Sequence, residues 1–249
     1  EIASIPSAIL HHNKEKLLDG ELSFRKIELH RPRLRVVRGA DGKWNLQDLA
    51  AVGKPGQPIP TIVVHEATIQ FEDHSRADAA PFKLELTHAN LTLINDPLDM
   101  VTIDGAAQAD LLGKVIVHGI WRRQENEIAL SIKTLGTRLD AALLERVACF
   151  CPSSLCGKLS GLRLEGQAQV NVNVAFRPGA EAAWSLQAHC QVSKATVRHP
   201  ALPMPLTNIE ASLRFDGSDL RVESLRAEAG ATVLTAQGVG RLPCPDQHF

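Results

Sequence analysis

The feature that most constrains this chain is Gly161 to Phe176, GLRLEGQAQVNVNVAF, where apolar and polar residues alternate from end to end. Leu162, Leu164, Ala168, Val170, Val172, Val174 and Phe176 share one parity, and Arg163, Glu165, Gln167, Gln169, Asn171 and Asn173 share the other. Successive side chains of a strand point to opposite faces, so the segment reads as one long strand with an apolar face and a polar face. At ~3.3 Å per residue it would run about 50 Å unless Gly166 bends it. The alternation returns downstream, with Trp184, Leu186, Ala188, Cys190 and Val192 set against Ser185, Gln187, His189, Gln191 and Ser193. A chain built from such strands has a large apolar face to place, and what covers that face is the functional question.

Helical signals are few. Ser7 is a candidate cap for a helix through about Leu18, stopped at Asp19-Gly20. Asn45-Leu-Gln-Asp48 resembles a capping box for a short helix over Leu46 to Val52, and Leu139 to Val147 carries apolar residues at helical spacing. Everything else reads as strand or turn. Leu22 to Val37 gives two strands punctuated by Pro32, and the Gly/Pro-rich Gly53 to Pro60 is a linker or crossover. Strands follow near Thr61–His65, Ala67–Glu72, Phe82–Leu86, Ala89–Ile94, Met100–Ala109, Lys114–Trp121 and Ile128–Leu135. After the long strand come Ala182–Val192, Ala195–Arg198, Asn208–Phe215, Asp219–Ala227 and Thr232–Val239, with hairpin turns at Arg122–Asn126 and Phe215–Leu220. An internal echo links Ala67-Thr-Ile-Gln-Phe to Ala195-Thr-Val-Arg-His, 128 residues apart, and suits a sheet extended by similar strand modules.

Composition narrows the function classes. A formal charge of −1 and a pI near 6.9 speak against nucleic acid. Aromatics are 4% and tyrosine is absent, which disfavours base-stacking platforms and ring-lined sugar grooves. No apolar run is long enough to span a bilayer as a helix, and Glu1-Ile2-Ala3 is not a signal peptide, so any anchor is expected upstream of this chain.

Candidate chemistry is sparse. Cys149, Cys151 and Cys156 form C-x-C-x4-C, which is not a zinc-ribbon spacing, and a local disulfide and free thiols both stay open. Cys190 falls on the apolar parity of its strand and reads as a small core residue. The histidines are scattered and no metal site is expected. Asp73, Asp99, Asp104 and Asp110 read as strand-end turn residues. Arg25, Lys26, Arg31, Arg33, Arg35 and Arg38 read as a solvated outer face rather than a headgroup site, because Arg33 and Arg35 alternate with Leu34 and Val36. Trp44 reads as a plug at a sheet end. No nucleophile elbow, zincin motif or phosphate loop is present, and neither catalysis nor a cofactor is expected.

The stretch Phe24 to Leu49, with Pro32 between two strands and Asp41-Gly42-Lys-Trp44-Asn45-Leu46 leading onward, resembles the start of AsmA-like proteins. Ile62 to Asp73 is similar to that family's next strand pair, and Arg198 to Gly240, with its proline-rich connection, is similar to its later part. The resemblance implies an all-β-dominated, elongated and strongly curved antiparallel sheet forming a hydrophobic groove, with a few short peripheral helices. It also implies a periplasmic protein tethered to the inner membrane, which carries phospholipids toward the outer membrane without covalent chemistry.

The residues support the same expectation independently. An open sheet with one apolar face needs a partner layer or a ligand there, and an acyl tail of about 16 carbons loses about 13 kcal/mol on leaving a bilayer for water. The expected organisation is 1–55 as an N-terminal helix, strand and cap element, 56–135 as a first groove segment, and 136–249 as a helix followed by a second. The expected groove residues are Leu162, Leu164, Val170, Val172, Val174, Phe176, Trp184, Leu186, Leu213, Leu220 and Val222. The expected partners are phospholipids, the inner membrane through an anchor absent from this chain, and outer-membrane or periplasmic proteins. The alternative is a scaffold that assists outer-membrane protein assembly through exposed strand edges.

Overall fold

Where the alternation of this chain slips by one residue, the backbone absorbs the slip as a bulge instead of ending the strand. A computed structural model describes residues 2–45, 57–75, 81–148, 161–180, 183–217 and 219–241. The strands are β1 (Ala3–Ser4), β2 (Ser7–His12), β3 (Phe24–His30), β4 (Arg33–Arg38), β5 (Thr61–Asp73), β6 (Phe82–Ile94), β7 (Met100–Ala109), β8 (Gly113–Arg122), β9 (Glu127–Leu139), β10 (Arg163–Phe176), β11 (Trp184–Arg198), β12 (Leu206–Asp216), β13 (Asp219–Ala229) and β14 (Thr232–Arg241). Two short helices, α1 (Lys14–Leu18) and α2 (Ala141–Ala148), complete the described elements. The protein is all-β, with one open sheet of 14 strands in the order β1-β4-β5 and onward sequentially to β14, β3 joining β5 and β2 joining β3.

The sheet is mixed rather than purely antiparallel. Both β3 and β4 run parallel to β5, with Lys26 opposite Thr61, His30 opposite His65 and Arg33 opposite Thr68. A parallel neighbour requires a long return connection, and the chain between Arg38 and Thr61 supplies it. Arg31, at φ 52°, and Glu66, at φ 54°, hold the same position in the two parallel strands, so both bend together. Pro32 therefore marks a kink in step with its neighbour, and it lies buried beside this bend.

The remaining bulges explain every strand that the sequence divides in two. Thr61–His65 and Ala67–Glu72 are one strand with Glu66 as the extra residue. Phe82–Leu86 and Ala89–Ile94 are one strand bulged at His88 (φ 49°), and β11 is continuous through Lys194 (φ 51°). An extra residue leaves the partners on both sides on the same face while bending the strand and raising its twist. Asn and His are the types that tolerate the left-handed conformation best, which suits His88 and Asn208 (φ 50°).

The N-terminal helix is a correction. Ser7 begins β2, which pairs with β3 through Ser7–His30 to His12–Phe24, and the helix is only α1, capped by the Asn13 side chain on the Glu15 amide at 3.1 Å. The apolar residues Ile9 and Leu10 satisfy either period in so short a segment, and the open edge of β3 decides for the strand. Asn45 likewise serves β4: its Oδ1 accepts from Val37 N at 2.9 Å and its Nδ2 donates to Arg35 O at 2.8 Å. The helix expected over Leu46 to Val52 lies outside the described residues, as do Cys149, Cys151, Cys156 and Cys244. The mid-chain helix is present as α2, with Asp140 Oδ1 accepting from Leu143 N at 2.9 Å.

The chain divides into two compact units: Glu1–Asp110 with Val115–Ser131 and Val174–Trp184, and Leu111–Lys114 with Ile132–Asn173 and Ser185–Phe249. Each has its own small core at its bulges. In the first, Ala67, Ala89 and Ala107 are buried, with Val64, Ile69 and Leu86 packed against them. In the second, Ala195, Ile209 and Ala227 are buried among Leu139, Leu164, Val192 and Leu225.

The two cores are copies of one module. The register breaks at Val64/Ala67 and Ala67/Ile69 recur at Val192/Ala195 and Ala195/Val197, and that between Thr87 and Asn90 recurs between Thr207 and Glu210. Thr87 Oγ1 donates to Gln108 O and Thr207 Oγ1 to Glu228 O, both at 3.5 Å. The sequence echo at Ala67 and Ala195 thus extends to Leu86-Thr87-His88-Ala89 and Leu206-Thr207-Asn208-Ile209.

Small residues occupy the seam because backbones approach closely there. A Cβ on Gly166 would sit 2.7 Å from Ala195 Cα, so this position of β10 admits only glycine. Ala195 itself is 0% exposed. Replacing Ala195 by Leu is expected to cost about 1–3 kcal/mol through overpacking, and Ala67→Leu a similar amount, read from urea denaturation. Gln169→Leu on the polar face should stay within about 0.5 kcal/mol. An unchanged midpoint for Ala195→Leu would contradict this account of the seam.

Candidate functional site

The strongest candidate is the apolar face of the sheet, because the described residues cover so little of it. Buried apolar residues among those described are mostly alanines; Val101, Leu111 and Ile209 are also buried, whereas most other large side chains remain half-exposed or open. In the first unit, cross-strand registers align Ile27, Ile62, Leu93 and Ile103 in one row, and Leu34, Ile69, Leu86 and Ala109 in another. In the second unit, Val192, Ala211, Leu225 and Ala236 form a row, and Cys190, Leu213, Val222 and Gly238 the next. Burial raises the Cys190 thiol above its ordinary value, as expected for a thiol in an apolar row.

Each residue expected on this face can now be placed. Leu164, Val170 and Val172 in β10, with Leu162 just before it, belong to the second unit and are half-buried. Leu213, Leu220 and Val222 are half-buried on the same face, Leu213 opposite Val222 and Leu220 opposite Phe215. Leu186 is more open, at 43% exposure. Val174, Phe176 and Trp184 belong to the first unit, where the Phe176 and Trp184 rings meet at 4.8 Å and Trp184 is 50% exposed. No residue of this set is fully buried.

An open hollow of about 730 Å³ spans β11 to β14 in the second unit, lined by the row of Val192 and Leu225 and by polar neighbours including Gln191 and Ser212. A second, of about 390 Å³, is lined mainly by polar side chains, including Asn173, Gln187, His189 and Glu223.

The polar face is organised by ion pairs. Arg35 donates to Glu72 at 2.9 Å and Lys26 lies 2.9 Å from Glu28, whereas Arg38 and Asp73, 3.7 Å apart, share the face of Leu34, Ile69, Val36 and Phe71. Of the basic run, Lys26 and Arg35 lie on the polar face, Arg35 paired across strands and Lys26 within β3, while Arg38 pairs with Asp73 on the apolar side. Arg38 also sits 5.8 Å over the Trp44 ring, which packs on Phe71 at 5.4 Å, and Phe71 on Phe82 at 6.0 Å. Trp44 therefore closes the end of β4 and β5. Asp104, expected at a strand end, lies within β7 and pairs with His118 across the sheet.

Several carboxylates sit beside histidines: Glu28 with His11 and His65, Glu66 with His88, Glu72 with His74, and Glu223 with His189. Hydrogen bonds from Lys26 and then His11 hold the Glu28 carboxyl down to about 2, and those from Arg35 and His74 do the same for Glu72. His88 lowers Glu66, and Ser212 lowers Glu223. Sequence reasoning missed these pairs, because all but the local Glu72–His74 pair meet only across strands.

One of these groups superficially resembles a nucleophile with its base. Ser212 Oγ donates to Glu223 at 2.8 Å and lies 2.9 Å from His189 Nε2. With its single proton given to Glu223, the hydroxyl is an acceptor toward histidine, which is the reverse of what activation by that histidine requires. It acts as a bridge between strands.

Among the described residues no helix is long and apolar enough to cross a membrane. Comparisons with protein-family models, with curated proteins and with solved structures return no match.

The depressed carboxylates carry a pH dependence. A carboxyl whose folded value lies below its usual 4.5 contributes stability that is complete above that value and is lost as pH falls toward 2. The urea midpoint should therefore fall as pH drops from about 4.5 to 2. A Glu28→Gln/Glu72→Gln double variant should show a smaller fall. An equal fall in both proteins would mean that these pairs do not stabilise the fold.

Proposed function

We propose that the chain shields phospholipid acyl chains on the apolar face of its sheet, which lines a hydrophobic groove, and that it acts in lipid transport between membranes without covalent chemistry. The observation that carries this reading is the half-exposed state of the large apolar rows in both units. Apolar area left in contact with water is unfavourable by about 25 cal/mol per Å², and contiguous apolar surface marks a site for a partner or ligand. Acyl chains satisfy such a face by contact alone. They need no particular residue, which agrees with a face built from Val, Leu, Ile and Ala. The AsmA-like motifs of Phe24–Leu49 and Ile62–Asp73 supply the proposed setting: the periplasm, with tethering to the inner membrane by a segment outside this chain.

A second reading draws on a specific observation. β14 is exposed along its whole length, including Val233, Leu234 and Val239, and among the described strands it pairs only with β13. An unpaired edge of this kind can accept an added strand, as a scaffold for outer-membrane protein assembly would.

The deciding experiment uses a photo-crosslinkable phospholipid with wild type and Val172→Asp. Val172 is half-exposed, so the variant should keep its circular dichroism and lose little stability. A charge at the middle of an apolar face is unfavourable unless paired, so lipid labelling should drop severalfold. A mass spectrum of organic extract from wild type should show bound glycerophospholipid. Equal labelling of both folded proteins, or none of either, would favour the scaffold.

A further inference from the structure

We propose that Glu28, His30 and His65, on the polar face of β3 and β5, form a binding site for a single first-row divalent cation of the zinc type. Sequence places His65 far from Glu28 and His30, and only the parallel register brings it beside them. His30 stands directly opposite His65, and Glu28, two residues before His30, shares its face. The two imidazoles stack at 4.9 Å with an interplanar angle of 18°, which reproduces the lateral spacing of neighbouring strands of about 4.8 Å.

His30 makes this more than a chance cluster. Its Nε2 is shut off from water and takes no hydrogen bond, the single buried side-chain nitrogen or oxygen in that condition among the described residues. Buried polar atoms are almost always partnered, and an orphan needs an explanation such as an ion. The ligand atoms of Glu28, His30 and His65 all lie within 4.8 Å of one another, and His65 Nε2 is 3.6 Å from Glu28 Oε2. Two donors on one tetrahedral zinc ion at its usual bond lengths are roughly 3.4 Å apart. Small side-chain rotations therefore close the site without moving the strands.

The surroundings favour this use of Glu28. Its Oε1 is held by His11 Nε2 at 2.8 Å and Lys26 Nζ at 2.9 Å, leaving Oε2 turned to His65. Such outer contacts orient a metal-binding carboxylate, although the Lys26 charge lowers the affinity for a cation. Two imidazole nitrogens and one carboxylate oxygen suit Zn²⁺ and its neighbours rather than Ca²⁺, Mg²⁺ or Cu⁺. A tetrahedral ion held by these three residues would take a fourth ligand such as water. The site lies on the face opposite the apolar rows and does not depend on the lipid-shielding reading.

The test uses the full chain without an affinity tag, stripped with chelator and titrated with Zn²⁺ by calorimetry and with Co²⁺ by visible absorption. One equivalent of each should bind, Co²⁺ with the ligand-field bands of low coordination number. Loss of an outer-shell partner typically weakens a site 10–100-fold, so loss of a direct ligand in His30→Asn or His65→Asn should weaken binding by about 100-fold or more. His118→Asn, whose pair with Asp104 lies on β8 and β7, should bind as wild type. His65 is half-exposed, so His65→Asn keeps the test valid even where His30→Asn fails to fold. Absence of saturable binding, or equal affinity in wild type and His65→Asn, would overturn the proposal. So would a thiolate-to-cobalt charge-transfer band that disappears in a Cys149→Ser/Cys151→Ser/Cys156→Ser variant, because the ion would then sit on the cysteines.

Discussion

Everything in this structure depends on keeping one face of a long strand apolar past the points where the backbone must bend. Side-chain direction has a period of two, so a single inserted residue would normally send every later apolar side chain to the opposite face. In β5, Ile62 and Val64 are even-numbered, whereas Ala67, Ile69 and Phe71 are odd-numbered, and all five share a face because Glu66 is extruded between them. β6 does the same at His88, β11 at Lys194 and β12 at Asn208. The extruded residue is polar each time and turns to the wet side, where Glu66 meets His88 and Asn208 meets Glu228 at 2.6 Å. The residue after it is buried and usually alanine. Bend, polar exit and small buried neighbour are parts of one device.

Using this device twice gives each unit an apolar face without adding new chemistry. The module at Ala67, Ala89 and Ala107 and that at Ala195, Ile209 and Ala227 share their register breaks, although few of their residues are identical. What persists is what the geometry needs: a polar residue in the left-handed conformation, a buried residue after it, and Thr87 or Thr207 bonding across to the next strand. A lipid-shielding surface of the kind proposed has the same economy. It requires area and apolarity, and it leaves the choice among Val, Leu and Ile free.

The polar face works differently, through named pairs. Several of its carboxylates are matched across strands, Glu72 to Arg35, Glu28 to His11 and Glu66 to His88, so charge placement there reinforces register while the apolar rows supply burial. That division lets the apolar face vary without disturbing strand pairing. It also sets Glu28, Glu72 and their partners on the side away from the face proposed to meet lipid.

The one-dimensional pattern determined much of this. Alternation from Leu162 to Phe176 and from Trp184 to Val192 specified strands and their two faces, and Met100–Ala109 emerges with the bounds read from the residues alone. The near-absence of helix, the hairpins at Arg122–Asn126 and Phe215–Leu220 and the echo between Ala67 and Ala195 are legible for the same reason, since strand period and turn chemistry are local. Only the tertiary structure decided which strands meet. It joined the halves of β5, β6 and β11 across their bulges, because a slip in phase looks like a break until the neighbouring strand's hydrogen bonds carry it through. It set β3 and β4 parallel to β5, converted Ser7–His12 from helix to strand by pairing it with β3, and brought His65 beside Glu28 and His30 from a distant position. Each of these depends on hydrogen bonding between strands remote in sequence, and no local pattern encodes the identity of a strand's neighbour.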